Sequence, residues 1–477
     1  MALASNALSG GLSDVPPWAM NLLAIVLLLG AVALMVRRLP NLPLGHSPEF
    51  IRRRRWNWVP LGLAYAFLYM GRYNLTVAKV ALGDRMTKED FGTIFFWGTL
   101  VYGLSFVVNG PLTDRLGGRK TMLFATGGAA LANVLMGLAI TDGSPLSTLP
   151  MVPLMSGLYA LNMYFQSFGA VSIVKVNAHW FHVRERGTFG GIFGILIALG
   201  IYFAYDWSQI IVDHAPLPLV FHAPALLLVI MLALTAVFVR DTPSEAGFND
   251  FDPMDASSGS DGKRLPVFTV AAMMLKNPVV VTIACIEFCS GYLRQAIMQW
   301  GKIFAAETGS KTDFVPANWG LLLCVAGICG GMFAGVISDH IFQSRRGPAA
   351  GILYAIMLLG SVAMVFLLGN PALGWLLVFM SLAIIGVHGM LSGTASMDFG
   401  GRHNVGVAVG LIDGMVYLGT AAQALVLGEL LPSDKVAQRS AENWSTWPLL
   451  MLPVALVGFA LTLKIWNAKP ASRAGVH

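Results

Sequence analysis

The chain has 477 residues, 56% of them hydrophobic and only 12% charged, with a mean hydropathy of +0.68. A soluble domain of this composition would lack the polar surface to cover itself, which excludes soluble enzymes and leaves a polytopic membrane protein. The net charge of +6, which in a soluble protein would suggest nucleic acid, then matters less than the side of the membrane on which each charge falls.

Apolar stretches of about 20 residues, enough to span a bilayer, run in order over 18–36, 57–82, 91–112, 119–140, 149–174, 187–212, 218–239, 278–305, 317–338, 348–368, 373–396, 404–430 and 446–466. Helices satisfy their own backbone hydrogen bonds in lipid, so these thirteen segments predict an all-α bundle. The first stretch follows "MALASNALSGGLSDVPPW", which has no basic start, and ends in Arg37 and Arg38. An extra membrane helix, rather than a cleaved secretory signal, is expected in front of a twelve-helix core. The loops on one face hold 22 Lys and Arg, among them the "RRRR" at 52–55, against 5 on the other face. The positive-inside rule makes the first face cytoplasmic, with the amino terminus outside and the carboxyl terminus inside.

Between 240 and 277 the chain turns rich in Ser, Gly, Asp and Pro, which predicts a flexible cytoplasmic linker. The expected organisation is an extra helix and basic loop over 1–56, a six-helix bundle over 57–239, the linker, a second six-helix bundle over 278–466 and a tail over 467–477. An internal repeat supports it. "GPLTDRLGGRK" at 110–120 returns in weaker form as "GVISDHIFQSRRG" at 335–347; Asp114 and Asp339 are 225 residues apart, and Arg72 and Arg294 are 222 apart. Parallel repeats related by an axis along the membrane normal place a substrate site near the midplane, at their interface.

Arg72 in "FLYMGRYNLTVAK" lies 14 residues beyond Trp58, about 21 Å into the membrane. An arginine at that depth costs roughly 2.5–3.5 kcal/mol on insertion scales. One such residue alone is as readily explained by packing against a buried carboxylate or a helix carbonyl. Two at equivalent places in a repeat would face each other, and a pair of guanidinium forks suits a tetrahedral oxyanion such as phosphate. Tyr65, Tyr69 and Arg72 share one helical face, and Tyr102 follows on the next helix, offering hydroxyls to the same ligand. Lys79 and Lys302, seven and eight residues past the two arginines, are read as snorkelling ends.

Three acids also lie in apolar helices: Asp206, Glu287 and Asp413. Each is a proton carrier or a counter-charge for an arginine that is without ligand, the second role being favoured because two unpaired cations in an empty cavity are costly. Cys285, Cys289, Cys324 and Cys329 sit within apolar helices and indicate neither disulfides nor a metal site. "GRKT" at 118–121 lacks the spacing of a phosphate loop, and no nucleophile elbow or HExxH is present, so no catalytic residue, cofactor or metal is expected.

"GPLTDRLGGRK" resembles the signature loop of the major facilitator superfamily. Within it, "YMGRYNLTVA", "NAHWFHVRERGTFGG", "VRDTPSEAG", "YLRQAIMQWGKIF" and "VGLIDGMVYLGTA" resemble the organophosphate:phosphate antiporter family of glycerol-3-phosphate and hexose-phosphate exchangers. The resemblance implies that Arg72 and Arg294 hold the phosphoryl group and that Tyr65, Tyr69 and Tyr102 line the cavity. It also implies exchange of inorganic phosphate for an organic phosphate. Phe106, Ile197 and Cys324 stand where the glycerol-3-phosphate exchanger has a lysine, a histidine and a glutamate. Both signs of charge are lost together, which points to a different organic moiety.

The expectation is thus a plasma-membrane transporter, a functional monomer, that exchanges an organophosphate for phosphate by alternating access. Asp114, Arg115, Arg119 and Asp339 are its expected gating contacts at the cytoplasmic face. The rival readings are a proton-coupled organic anion symporter, in which Glu287 or Asp413 titrates, and a transporter-like sugar-phosphate sensor.

Overall fold

Ser47 starts the first described helix by accepting the Phe50 N–H at 3.2 Å, and Pro48 follows at a position where its missing N–H costs nothing. These caps draw the helix nine residues ahead of the apolar stretch, so that the "RRRR" run is helical. The computed structural model describes residues 46–182, 194–251, 275–342, 345–395 and 405–468, with a few isolated positions besides. The extra helix expected over 18–36, most of the linker and the tail lie outside the described residues.

Twelve long helical segments follow in order: α1 Pro48–Leu82, α2 Lys88–Leu116, α3 Gly118–Ala139, α4 Met151–Trp180, α5 Gly194–His214 and α6 Leu219–Phe238. The second half has α7 Pro278–Glu307, α8 Trp319–Val336, α9 Arg346–Leu367, α10 Ala372–His388, α11 Val405–Leu430 and α12 Thr446–Lys464. The segments from 57 onward each match one of them. Ten of the helices are long and apolar enough to cross a membrane. The 35 residues of α1 and the 30 of α4 are long enough, but Arg72, Asn74, Asn162 and Gln166 make them more polar. That polarity marks them as cavity walls.

Within the first half α4 packs on α2 and α3, and α6 on α3 and α1. In the second half α8 packs on α10, α9 on α10 and α12, and α7 on α12. The halves meet where α11 packs along α2 and where α5 meets α8. The first crossing depends on glycine: a Cβ on Gly92 would lie 2.5 Å from the Ala424 carbonyl oxygen, so the two backbones touch. Three π-helical turns interrupt the described helices, at Phe203–Trp207, Ile337–Ile341 and Gly389–Ala395. Such turns re-aim side chains, and here they carry Asp206, Asp339 and Ser392.

Among the described residues the polar contacts between halves are not evenly spread. At the charge-poor end Glu307 of α7 pairs with Lys79 of α1 at 3.2 Å and with Lys88 of α2. Lys88 also donates to Gln438 at 3.0 Å, and Lys435 pairs with Asp84 at 2.5 Å. Asp206 of α5 caps α8, accepting the Gly320 and Leu321 N–H groups at 2.8 Å each. At the arginine-rich end the ion pairs and hydrogen bonds between described residues stay within one half. The structure is held shut at the charge-poor end.

Candidate functional site

A buried amide network fixes the middle of α1. Asn133 of α3 and Asn162 of α4 donate to the Gly71 carbonyl at 3.2 and 2.9 Å, and Asn74 donates to Asn133 Oδ1 and the Val220 carbonyl at 3.0 Å. Tyr159 donates its hydroxyl to the Arg72 carbonyl at 3.1 Å. Four helices therefore determine where the Arg72 side chain starts, and polar groups so satisfied in a low-dielectric interior are rigid.

The Arg72 guanidinium is 0% exposed. It donates through Nε to Gln166 Oε1, and through its two terminal nitrogens to the Tyr417 and Tyr102 hydroxyls, each at 3.0 Å. Its carbon lies 4.6 Å from the Tyr69 ring centroid and 4.4 Å from that of Tyr102. All three acceptors are neutral. Gln166 is itself held by donating to Asn162 at 3.0 Å. A guanidinium has five N–H bonds, so two remain beyond the three that are used.

Arg294 on α7 is 7% exposed, and its Nε makes no hydrogen bond. Its helix is anchored by neighbours: Tyr354 donates to the Ile286 carbonyl at 2.6 Å and Trp447 to the Ala296 carbonyl at 3.0 Å. The adjacent Gln295 reaches across the halves and donates to the Tyr73 hydroxyl at 2.8 Å. The Tyr73 ring centroid lies 6.0 Å from the Arg72 guanidinium carbon, so this tyrosine connects the surroundings of Arg72 with the helix that carries Arg294.

Of the residues expected at the site, Arg72, Tyr69 and Tyr102 are in direct contact. Tyr65 stands one turn away, edge-on to Tyr69 at 5.3 Å. Phe106 packs between Tyr102 and Tyr417, at 4.9 and 6.1 Å, so an apolar ring borders the cage. Sequence reasoning missed Tyr417, Gln166, Tyr159 and Tyr73. Tyr417 follows Asp413 by one helical turn, and Gln166 follows Asn162 likewise; helical spacing could have found both.

The acids lie elsewhere. Glu287, 0% exposed, contacts His388 Nδ1 of α10 at 3.0 Å, and Asp413 of α11 accepts a hydrogen bond from Ser392. Lys79 is paired with Glu307, and Lys302 donates to the Pro316 carbonyl at 3.3 Å. Neither is a free snorkelling end. Asp114 accepts from Lys175 at 2.8 Å, and the Arg119 N–H and side chain bond Asp241 at 2.7 Å and the Ala236 carbonyl at 2.5 Å. Arg115 is exposed. The side chain of Asp339 lies outside the described residues.

Two six-helix halves, with a buried arginine in the first helix of each and a basic turn after α2, agree with comparison to known proteins. The family model for the Major Facilitator Superfamily matches residues 61–424. The chain belongs to the major facilitator superfamily. This facilitator is 26% identical over 443 residues to the glycerol-3-phosphate transporter of Bacillus subtilis, covering 87% of this chain and 93% of that one. It is 24% identical over 457 residues to a probable hexose phosphate transport protein of Chlamydia muridarum, covering 89% and 95%. A solved bacterial homologue of the human lysosomal transporter Spinster, inward-facing and unoccupied, superposes with a TM-score of 0.69 at 12% identity, covering 90% of this chain and 100% of that chain. The last likeness concerns the fold alone. The facilitator is a multi-pass membrane transporter and not an enzyme.

Proposed function

We propose that this facilitator exchanges an organophosphate for inorganic phosphate by alternating access, with Arg72 and Arg294 holding the phosphoryl group. The observation that carries the reading is the burial of Arg72 among neutral acceptors. A buried cation with no carboxylate at hand is expensive unless an anion shares its cage, and its two remaining N–H bonds are those an oxyanion takes. Tyr102 and Tyr417 come from opposite halves and meet over Arg72 with ring centroids 4.1 Å apart. An arriving phosphate engages the two remaining N–H bonds of Arg72 and connects the halves through Arg294. Similarity to transporters of glycerol-3-phosphate and hexose phosphates supports an organic phosphate as the counter-substrate.

In this reading the arginine-rich end is cytoplasmic, the protein sits in the plasma membrane as a functional monomer, and the charge-poor end is the closed outer gate. Asp114, Arg115, Arg119 and Asp339 belong to the inner gate and make their contacts across the halves only when that end closes. The test is phosphate exchange in proteoliposomes by the native chain, Arg72→Lys and Arg294→Lys. Lysine keeps the charge but not the fork, and each variant is expected to exchange at least about tenfold more slowly. Native rates in both variants would show that phosphate binds elsewhere. Binding of sugar phosphate without any flux would mark a sensor.

A further inference from the structure

Seven residues before Arg294 on α7, Glu287 has no exposed surface and, among the described residues, its one close titratable partner is His388. The His388 side chain retains 22% exposure against 0% for Glu287, so the imidazole is the more accessible member of the pair. Asp413, partly exposed on α11, accepts a hydrogen bond from Ser392, which lies one turn beyond His388 in the π turn after α10. Arg294 lies on the same face of α7 as Glu287, two helical turns further on. From α9, Tyr354 reaches the same stretch of α7, its hydroxyl committed to the Ile286 carbonyl; α7 adds Ser290 and Cys289. Among the described residues, then, two carboxylates share one permanent cation.

The charge count has a consequence. With Arg294 balancing one carboxylate, the second is left to the imidazole, and the group is neutral when it carries one proton. A phosphate that engages Arg294 claims its charge and removes the counter-ion of the acids. In a low-dielectric setting a buried carboxylate so exposed binds a proton instead.

We infer that Glu287, His388 and Asp413 form a proton-binding site on the exchanger, which takes up a proton when an anion engages Arg294 and returns it when the anion leaves. His388 passes the proton between solvent and Glu287. The inference rests on the phosphate-binding reading above and adds the charge that travels with the anion. A proton bound together with each ligand lets esters and phosphate of different charge exchange without leaving net charge behind. By reciprocity, protonation tightens anion binding by the same factor by which the anion favours protonation.

The experiment is calorimetric titration of inorganic phosphate into the detergent-purified full chain, in two buffers of different ionisation enthalpy at about pH 8. It is repeated with Glu287→Gln and His388→Gln. The native chain is expected to take up more protons per bound phosphate than either variant, by about half a proton or more. Phosphate's own titration is common to all three proteins and cancels in the difference. Glutamine at 287 keeps the shape, and His388→Gln supplies the comparison if that variant does not fold. Equal proton numbers in binding-competent proteins would overturn the inference while leaving phosphate binding intact. Absence of phosphate binding in the native chain would overturn both.

Discussion

Arg72 is positioned by its neighbours before any ligand arrives. Gln166 takes its Nε–H, and Gln166 is in turn tied to Asn162, which holds the Gly71 carbonyl. Gln166→Leu keeps the volume and removes the acceptor, leaving a buried donor unsatisfied and the fork free to rotate. The Michaelis constant for phosphate should rise roughly tenfold, about 1.4 kcal/mol, with the maximal rate less affected. Rates at saturating and limiting phosphate distinguish this from a loss of folded protein. Tyr417 illustrates a different kind of residue. It belongs to the second half yet bonds an arginine of the first, so its role follows from the tertiary fold and not from its sequence neighbours.

At the scale of the element, the turn between α2 and α3 shows how sequence and burial compete. Gly117 has φ +89°, and a Cβ there would lie 2.4 Å from Asp241 Oδ2, so glycine is required. Asp241 accepts the Arg119 N–H at the start of α3, yet burial pushes its carboxyl above the ordinary range and outweighs that bond. For an acid with a raised folded pKa, the contribution to stability is full below the ordinary pKa and is lost as pH rises through the folded value. Asp241→Asn keeps an acceptor without the buried charge and should melt at or above the native temperature at neutral pH. Asp241→Ala loses the cap and should cost about 1 kcal/mol; thermal melting followed by size-exclusion chromatography reads both.

Much of this level was legible in the sequence. Each apolar run from 57 onward found its helix, because membrane spans are set by length and hydrophobicity alone. The helix α1 began early because Ser47 and Pro48 are local signals that hydropathy does not register. Arg72 and Arg294 stood out because a charge is conspicuous in an apolar run, and the repeat paired them. The partner of Glu287 did not stand out: His388 is 101 residues away, and only the packing of α7 on α10 brings them together. Asp206, similarly conspicuous, is a helix cap across the halves, a role that depends on where α8 begins.

For the molecule as a whole, the closure at the charge-poor end is a small set of polar contacts, and Asp206 makes the one that caps a helix across the halves. Its two hydrogen bonds to the α8 amino terminus are charge-assisted and partly repaid by the helix dipole. Asp206→Ala removes both. A loss of about 1–2 kcal/mol shifts the balance of inward and outward forms by roughly 5- to 30-fold. Cysteine placed at Ser290 in a background without other cysteines should then react faster with an impermeant reagent added outside. An unchanged rate would show that the remaining contacts close the outer end without Asp206.

Exchange itself is the central claim, and one measurement addresses it directly: uptake of radiolabelled phosphate into proteoliposomes loaded with phosphate or with buffer alone. The account predicts rapid uptake in loaded vesicles and uptake near the background of protein-free vesicles in empty ones, because a carrier that returns without an anion must carry Arg72 among neutral acceptors alone. Equal uptake in loaded and empty vesicles would contradict exchange and make the protein a carrier that moves its anion in one direction.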